Sequence, residues 1–222
     1  MASHSLDVLS RLVRRVPDDM VERARAWRPG APSAPAAPAA SVILLRDGPD
    51  GLETYLLHRH ARMSFAASMV VFPGGKVDPV DHRQPDPILG CAVRETEEET
   101  GVRLTPDELQ PWAYWVTPQV EPRRYDTHFF VAELPRGQQA ADVSGETDFA
   151  EWCTPAAAVE SQRAGQIAMM PPTLSILLEL LDLGSVASVR QAAAGRVIER
   201  VLPELIETSD GWQFRYPRPP RA

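Results

Sequence analysis

The sequence predicts an α/β (α+β) fold in which a mixed β-sheet lies between helices. Three observations carry this. The runs "SVILLRDG", "ETYLLHRHA", "AYWVTP" and "DTHFFVAEL" are short, rich in branched and aromatic residues, and bounded by turn residues, so they read as strands. A capped amphipathic pattern separates the second from the third, and "TPAAAVESQRAG" and "PTLSILLELLDL" repeat helical spacing after the last. The 222 residues, 44% hydrophobic, suffice for one substantial domain with extensions.

In chain order, "SLDVLSRLVRRV" puts Leu6, Leu9, Val13 and Val16 on one face and reads as a docking helix. "RPGAPSAPAAPAA", residues 28–40, reads as a Pro/Ala linker or strap. "SVILLRDG" and "ETYLLHRHA" then form a hairpin across residues 47–52. "MVVF" is a short buried strand that ends at Pro73 and opens through Gly74 and Gly75 into a loop. The chain closes on a hairpin around Ser209, Asp210 and Gly211. The expected organisation is therefore an N-terminal helix and strap over 1–40, a central domain over 41–184, and a C-terminal helix and hairpin over 185–222.

The chemistry gathers on the helix Pro87 to Thr100. Asp86 supplies its N-cap, Pro87 its first turn, and Gly101 its left-handed terminus. Ile88, Leu89, Ala92, Val93 and Thr96 share the face expected to meet the core. Its last turns read "RETEEETG", which places Glu95, Glu98 and Glu99 within an arc of roughly 100°. Two carboxylates about 4 Å apart repel by about 4 kcal/mol at an effective dielectric near 20, and the helix dipole adds about 0.3–1 kcal/mol for each. Arg94 offsets part of this by pairing with Glu98, and Glu97 points the opposite way into solvent. Either the acids splay into water as a solvated face, or a hard divalent cation sits among them. The two glycines upstream, which let backbone approach a ligand closely, favour the cation.

Strand, PGG, loop and an R-E-x-x-E-E-x-G helix together resemble the Nudix hydrolases, whose box is written G-x5-E-x7-R-E-U-x-E-E-x-G-U with U apolar. Gly75, Arg94, Glu95, Thr96, Glu98, Glu99, Gly101 and Val102 answer to it. Gly75 to Arg94 is five residues longer than the pattern, and the first glutamate of the box falls on Asp86 when counted back from Arg94. The resemblance spans about Ala40 to Asp182. It implies a Nudix-type α/β/α sandwich and Mg²⁺- or Mn²⁺-assisted hydrolysis of a diphosphate bond in a nucleoside diphosphate derivative. Carried over by position, Glu98 and Glu99 are the principal metal ligands, Glu95 a further one, the carbonyl near Gly75 part of the shell, and Arg94 the orienting partner.

"FPGGKVDPVD", "RETEEETGV" and "WVTPQVEPRRYDTHFF" together look like the acyl-coenzyme A diphosphatase branch, whose eukaryotic members are peroxisomal. There the W-x-T-P and R-R-[YF]-D-T segments lie over the substrate cleft, which makes Arg123 and Arg124 candidates for phosphate contacts. Leu56, Leu57 and Arg59 match the start of a coenzyme A signature, while Ser64 and Ser68 stand where arginine and glycine are expected. Lys76, the sole lysine, lies beside the PGG within reach of phosphate. Coenzyme A or an acyl-CoA is the expected substrate, giving 3′,5′-ADP and a 4′-phosphopantetheine product. ADP-ribose, NADH or a dinucleotide is the alternative, and a non-cleaving nucleotide sensor the third.

A carboxylate outside the helix is expected to complete the site. Glu146, in the polar loop "SGETDF", is favoured as catalytic base over Glu151 and Asp148, against the reading that all three are solvated. Net charge of −7 disfavours nucleic acid as a partner, no apolar run approaches the roughly 20 residues of a membrane span, and Cys91 and Cys153 fit no metal-spaced motif. The partner is then a small nucleotide, with a homodimer left open. The terminal "PRPPRA" carries no peroxisomal address, so the expected home is cytoplasmic.

Overall fold

A computed structural model describes residues 16–28, 30–60, 68–145 and 147–216. Of the docking helix expected at the N-terminus only Val16 falls among them, and Glu146 and Ser64 lie outside. The elements are α1 (Asp18–Ala26), β1 (Ala36–Gly48), β2 (Gly51–Arg59), β3 (Met69–Val71), β4 (Gly74–Lys76), a 3₁₀ turn (Asp81–Arg83), α2 (Pro87–Thr100), β5 (Gln110–Val116), β6 (Arg124–Glu133), β7 (Thr147–Cys153), α3 (Pro155–Arg163), β8 (Ala168–Met169), α4 (Pro171–Leu180), α5 (Val186–Ala194), β9 (Arg200–Val201), β10 (Glu204–Thr208) and β11 (Gly211–Arg215).

The sheet runs β8-β3-β2-β1-β6-β5-β9, with β4 added to β1 and β7 to β2. It is mixed, because β1 pairs antiparallel with β2 across the expected hairpin and parallel with β6. β1 also sorts the layers. Its side chains alternate, so Ile43 and Leu45 enter the core beneath α3, α4 and α5, whereas Val42 and Leu44 enter the one beneath α2. Helices on both faces of one sheet make the α/β/α sandwich. No helix among the described residues is long and apolar enough to cross a membrane.

Three local expectations are corrected. β1 begins at Ala36 rather than Ser41, so the end of the Pro/Ala strap is strand: Ala36 to Leu45 pair in unbroken register with Arg124 to Glu133. "DDMVERARA", given no element by the sequence, is α1, with Asp18 and Asp19 in its first turn and Arg23 and Arg25 in its last, as the helix dipole favours. The face of α2 that is fully buried carries Cys91, Ala92, Thr96 and Thr100, while Ile88, Leu89 and Val93 pack at its margin. The two threonines are admitted because each hydroxyl donates to the carbonyl four residues back, Thr96 to Ala92 at 2.7 Å and Thr100 to Thr96 at 2.6 Å. Burial pushes the Cys91 thiol up to about 12, which leaves it inert.

The ends of α2 follow the sequence. Asp86 accepts from the Ile88 and Leu89 amides at 2.8 and 3.3 Å, and Gly101 closes the helix at φ 71° with its N–H on the Glu97 carbonyl. Asp86→Ala should lower stability by about 1 kcal/mol in denaturant unfolding, whereas Asp86→Ser should recover most of that. Equal midpoints for Asp86→Ala and the parent chain would show that Pro87 and packing set the helix start unaided.

Candidate functional site

The site is built where β1 meets the PGG turn. The Val42 amide and the Ser41 hydroxyl both donate to the Pro73 carbonyl, at 2.8 and 2.9 Å, and Gly74, Gly75 and Lys76 then pair with Ser41, Ala40 and Ala39. Each glycine lets its backbone approach closely what lies against it. A Cβ on Gly74 would stand 2.4 Å from the Ala40 carbonyl oxygen, and one on Gly75 would stand 2.3 Å from a Glu95 carboxylate oxygen. The turn is thereby pressed against both the central strand and the acidic end of α2. Glu99, almost fully buried, accepts the Gly74 N–H at 2.8 Å and lies 3.8 Å from the Arg59 guanidinium.

Arg94 organises the remaining acids. Its Nε and Nη2 donate to the two oxygens of Asp81 at 2.9 and 2.8 Å, a bidentate pair, and its Nη1 donates to Glu95 and Glu98, each at 2.8 Å. Nη2 also reaches the Lys76 carbonyl at 3.2 Å, which ties the helix to β4. The hydrogen bond from Arg94 holds the Asp81 carboxyl below the ordinary carboxylate range, and the surrounding acids push the guanidinium up. Burial, only partly countered by Arg94, raises Glu95. Glu97 is exposed and bonded to Arg103 at 2.8 Å, away from the group.

Asp81 is the residue that sequence reasoning missed. Counted back from Arg94, the first acid of the box falls on Asp86; counted forward from Gly75 over the same spacing, it falls on Asp81. The structure gives Asp81 the place beside Arg94 and leaves Asp86 as the helix cap. The five extra residues are therefore accommodated after Asp81, in the 3₁₀ turn and the approach to the cap.

A cavity of about 550 Å³ opens beside this group. Gly74, Gly75, Glu95 and Glu99 line it together with three of the expected anion contacts, Arg59, Lys76 and Arg123, while Glu98 stands exposed outside the lining. Arg124 is corrected. It is buried and turned the other way, its Nε on the Thr117 carbonyl at 3.1 Å and its Nη1 on Ala34 and Ser33 at 2.7 and 3.2 Å, so it secures the strap instead of facing the cavity. Of the acids proposed to complete the site, Glu151 binds His58 at 2.9 Å and Asp148 binds His60, and neither lines the cavity. Glu146 falls outside the described residues.

Among the described residues no three carboxylate, imidazole or thiolate groups draw close enough to make a ready-formed ion cage. The cause is Arg94, whose Nη1 bridges Glu95 and Glu98, and the hydrogen bond that turns Glu99 toward Gly74. The donor set nevertheless fits a hard divalent cation. Its groups are all oxygens, and the Glu95 and Glu99 carboxylates line the cavity together with the Gly74–Gly75 turn.

Residues 35–171 match the NUDIX domain. The chain belongs to the NUDIX family. Among curated proteins it is similar to the acyl-coenzyme A diphosphatase NUDT19 of Homo sapiens, 31% identical over 114 residues that cover 48% of this chain and 30% of that one. It is also similar to the Gallus gallus protein of the same name, 24% identical over 269 residues, 74% of this chain and 71% of that one. A nudix hydrolase relative from Caenorhabditis elegans is 28% identical over 161 residues, and the match spans about half of it, 54%. Among solved structures, a NUDIX hydrolase from Alicyclobacillus acidocaldarius shares the fold with a TM-score of 0.64 at 22% identity, covering 75% of this chain and 99% of that chain.

The Arg94–Asp81 pair makes a prediction that needs no substrate. A carboxyl whose native pKa is depressed contributes stability above its unfolded value, about 3.9, and loses it as pH falls through the lower native value. Asp81→Asn should therefore cost about 1.5–3 kcal/mol at pH 7 and flatten the loss of stability below about pH 4. Urea titrations from pH 7 to pH 2.5 measure both, and parallel pH profiles for the two proteins would contradict the pairing.

Proposed function

We propose that this NUDIX chain hydrolyses the diphosphate bond of a nucleoside diphosphate derivative with Mg²⁺ or Mn²⁺, and that coenzyme A or an acyl-CoA is its preferred substrate, released as 3′,5′-ADP and a 4′-phosphopantetheine product. One observation carries the reaction class. Glu95, Glu99 and the Gly74–Gly75 turn line a cavity of about 550 Å³ that also receives Arg59, Lys76 and Arg123. Glu95, Glu98, Glu99 and the Gly75 carbonyl would hold the cation, which supplies charge neutralisation on the diphosphate and a bound water of lowered pKa. Arg94 orients Glu95 and Glu98, and Asp81 fixes Arg94. Arg59, Lys76 and Arg123 offer cationic groups to phosphate oxygens, and Glu146 remains the favoured external base.

Two findings support the coenzyme A preference. The chain resembles the human acyl-coenzyme A diphosphatase across 48% of its own length. Ser68, which stands where the coenzyme A signature has glycine, holds φ at 57°, the left-handed conformation that glycine adopts without strain. The backbone at that one position is thus the one glycine favours, although the residue is serine.

Glu98→Gln and Glu99→Gln should each lower kcat by about 10²-fold or more at saturating metal, because each removes an anionic ligand while nearly preserving shape. Glu97→Gln, bonded outward to Arg103, should be almost silent. The assay is a panel of CoA, acyl-CoAs, ADP-ribose, NADH and diadenosine polyphosphates with products identified by mass. Near-normal turnover in both variants would overturn the site, and a hundredfold preference for ADP-ribose or NADH would replace the substrate.

A further inference from the structure

The cavity is not closed by the family-matched residues alone. Met20 on α1, Pro203 before β10 and Phe214 on β11 line it, and all three lie outside residues 35–171. Met20 and Phe214 sit on segments with specific anchors. Arg23, one turn after Met20, donates to Glu121 through Nη2 and Nε at 2.8 and 3.2 Å, which fixes α1 to the loop that carries Arg123. Tyr216 is buried edge-on to Trp115 at 5.9 Å and stacks on Phe214 at 6.1 Å, so the hairpin is seated in the core beneath the cavity.

Sheet order places this wall relative to the acids. Gly74 and Gly75 sit on β4 beside β1, followed by β6 and then β5, which carries Trp115 and pairs with β9 just ahead of Pro203. Three strand spacings separate β4 from β5, about 14 Å. A pantetheine arm runs about twelve bonds, as many as four extended residues, roughly 13 Å, so a thioester acyl group on its end would reach Met20, Trp115, Pro203 and Phe214. Those side chains suit such a group: Met20 is unbranched and adaptable, and the wall is built of apolar surface. A second nucleoside there would set ribose hydroxyls and the polar edge of a base against it.

We propose that Met20 and Phe214 are specificity-determining residues that hold the acyl chain of a coenzyme A thioester at the end of the cleft remote from the carboxylates. The proposal rests on the diphosphatase reading above, and its test separates the two.

Calorimetry in EDTA gives dissociation constants for acetyl-CoA and octanoyl-CoA without turnover, and kcat/KM with Mn²⁺ gives the same ratio during turnover. The full chain should bind octanoyl-CoA at least tenfold more tightly than acetyl-CoA. Met20→Ala and Phe214→Ala should each reduce that ratio about threefold or more, and the double variant should bring it near one. Val197→Ala, an exposed side chain outside the cavity lining, should keep the parent ratio. Should Phe214→Ala unfold, Phe214→Leu and Met20→Ala carry the same comparison. A parent ratio near one, or a ratio unchanged in the Met20 and Phe214 variants, overturns the proposal. Failure to release 3′,5′-ADP with the calorimetric ratios intact would overturn the diphosphatase reading and leave the acyl wall standing.

Discussion

The structure turns on one guanidinium at the acidic end of a helix. Arg94 donates to Asp81, Glu95 and Glu98 at 2.8–2.9 Å and to the Lys76 carbonyl at 3.2 Å, using a planar fork that lysine could not reproduce. Without it the last turns of α2 would press several carboxylates together where the helix dipole also opposes them. Its bonds to Asp81 and Lys76 lie outside α2, so the same side chain fixes the helix against β4 and the loop that follows. Order in the acid group and order in the PGG turn are therefore one constraint.

That constraint reaches the sheet through the glycines. Gly74 must lack a side chain because the Ala40 backbone occupies its place, and at Gly75 the Glu95 carboxylate fills the space that a Cβ would take. β1 consequently carries three loads: it pairs with β6 over ten residues, receives β4 along its first half, and separates the two hydrophobic cores by simple alternation. Arg124, bonded to Ser33 and Ala34, pins the chain just ahead of that strand. A buried guanidinium directed at backbone thus secures the strand against which the cavity is formed, while its neighbour Arg123 faces the cavity itself.

Much of this was legible because its causes are local. The cap at Asp86, the end at Gly101, and the hairpins across residues 47–52 and around Asp210 depend on residues adjacent in sequence, and the structure has them where the sequence places them. What was not legible depends on contacts distant in sequence. Asp81 and Asp86 are both acids at an allowed spacing, from opposite ends of a lengthened loop, and only the fold shows which meets Arg94. Arg123 ends the turn before β6 and Arg124 is its first residue, and nothing local says which of the two faces the cavity. The early start of β1 arises from pairing with a strand some ninety residues later, against the low strand propensity of alanine and proline. α1 was missed because its short polar pattern gains its place from Glu121, a partner 98 residues away.

We propose that the acid group at the end of α2 is completed by a divalent cation. Anything that binds only the folded chain raises its stability, by about 2.7 kcal/mol at a hundredfold excess over the dissociation constant. Thermal unfolding of the parent and of Glu99→Gln, each in EDTA and in a titration of Mn²⁺, reads this directly without substrate or turnover. The Tm of the parent should climb with Mn²⁺, and that of Glu99→Gln should climb much less. A parent Tm that does not move across millimolar Mn²⁺, or that moves equally in both proteins, would contradict it.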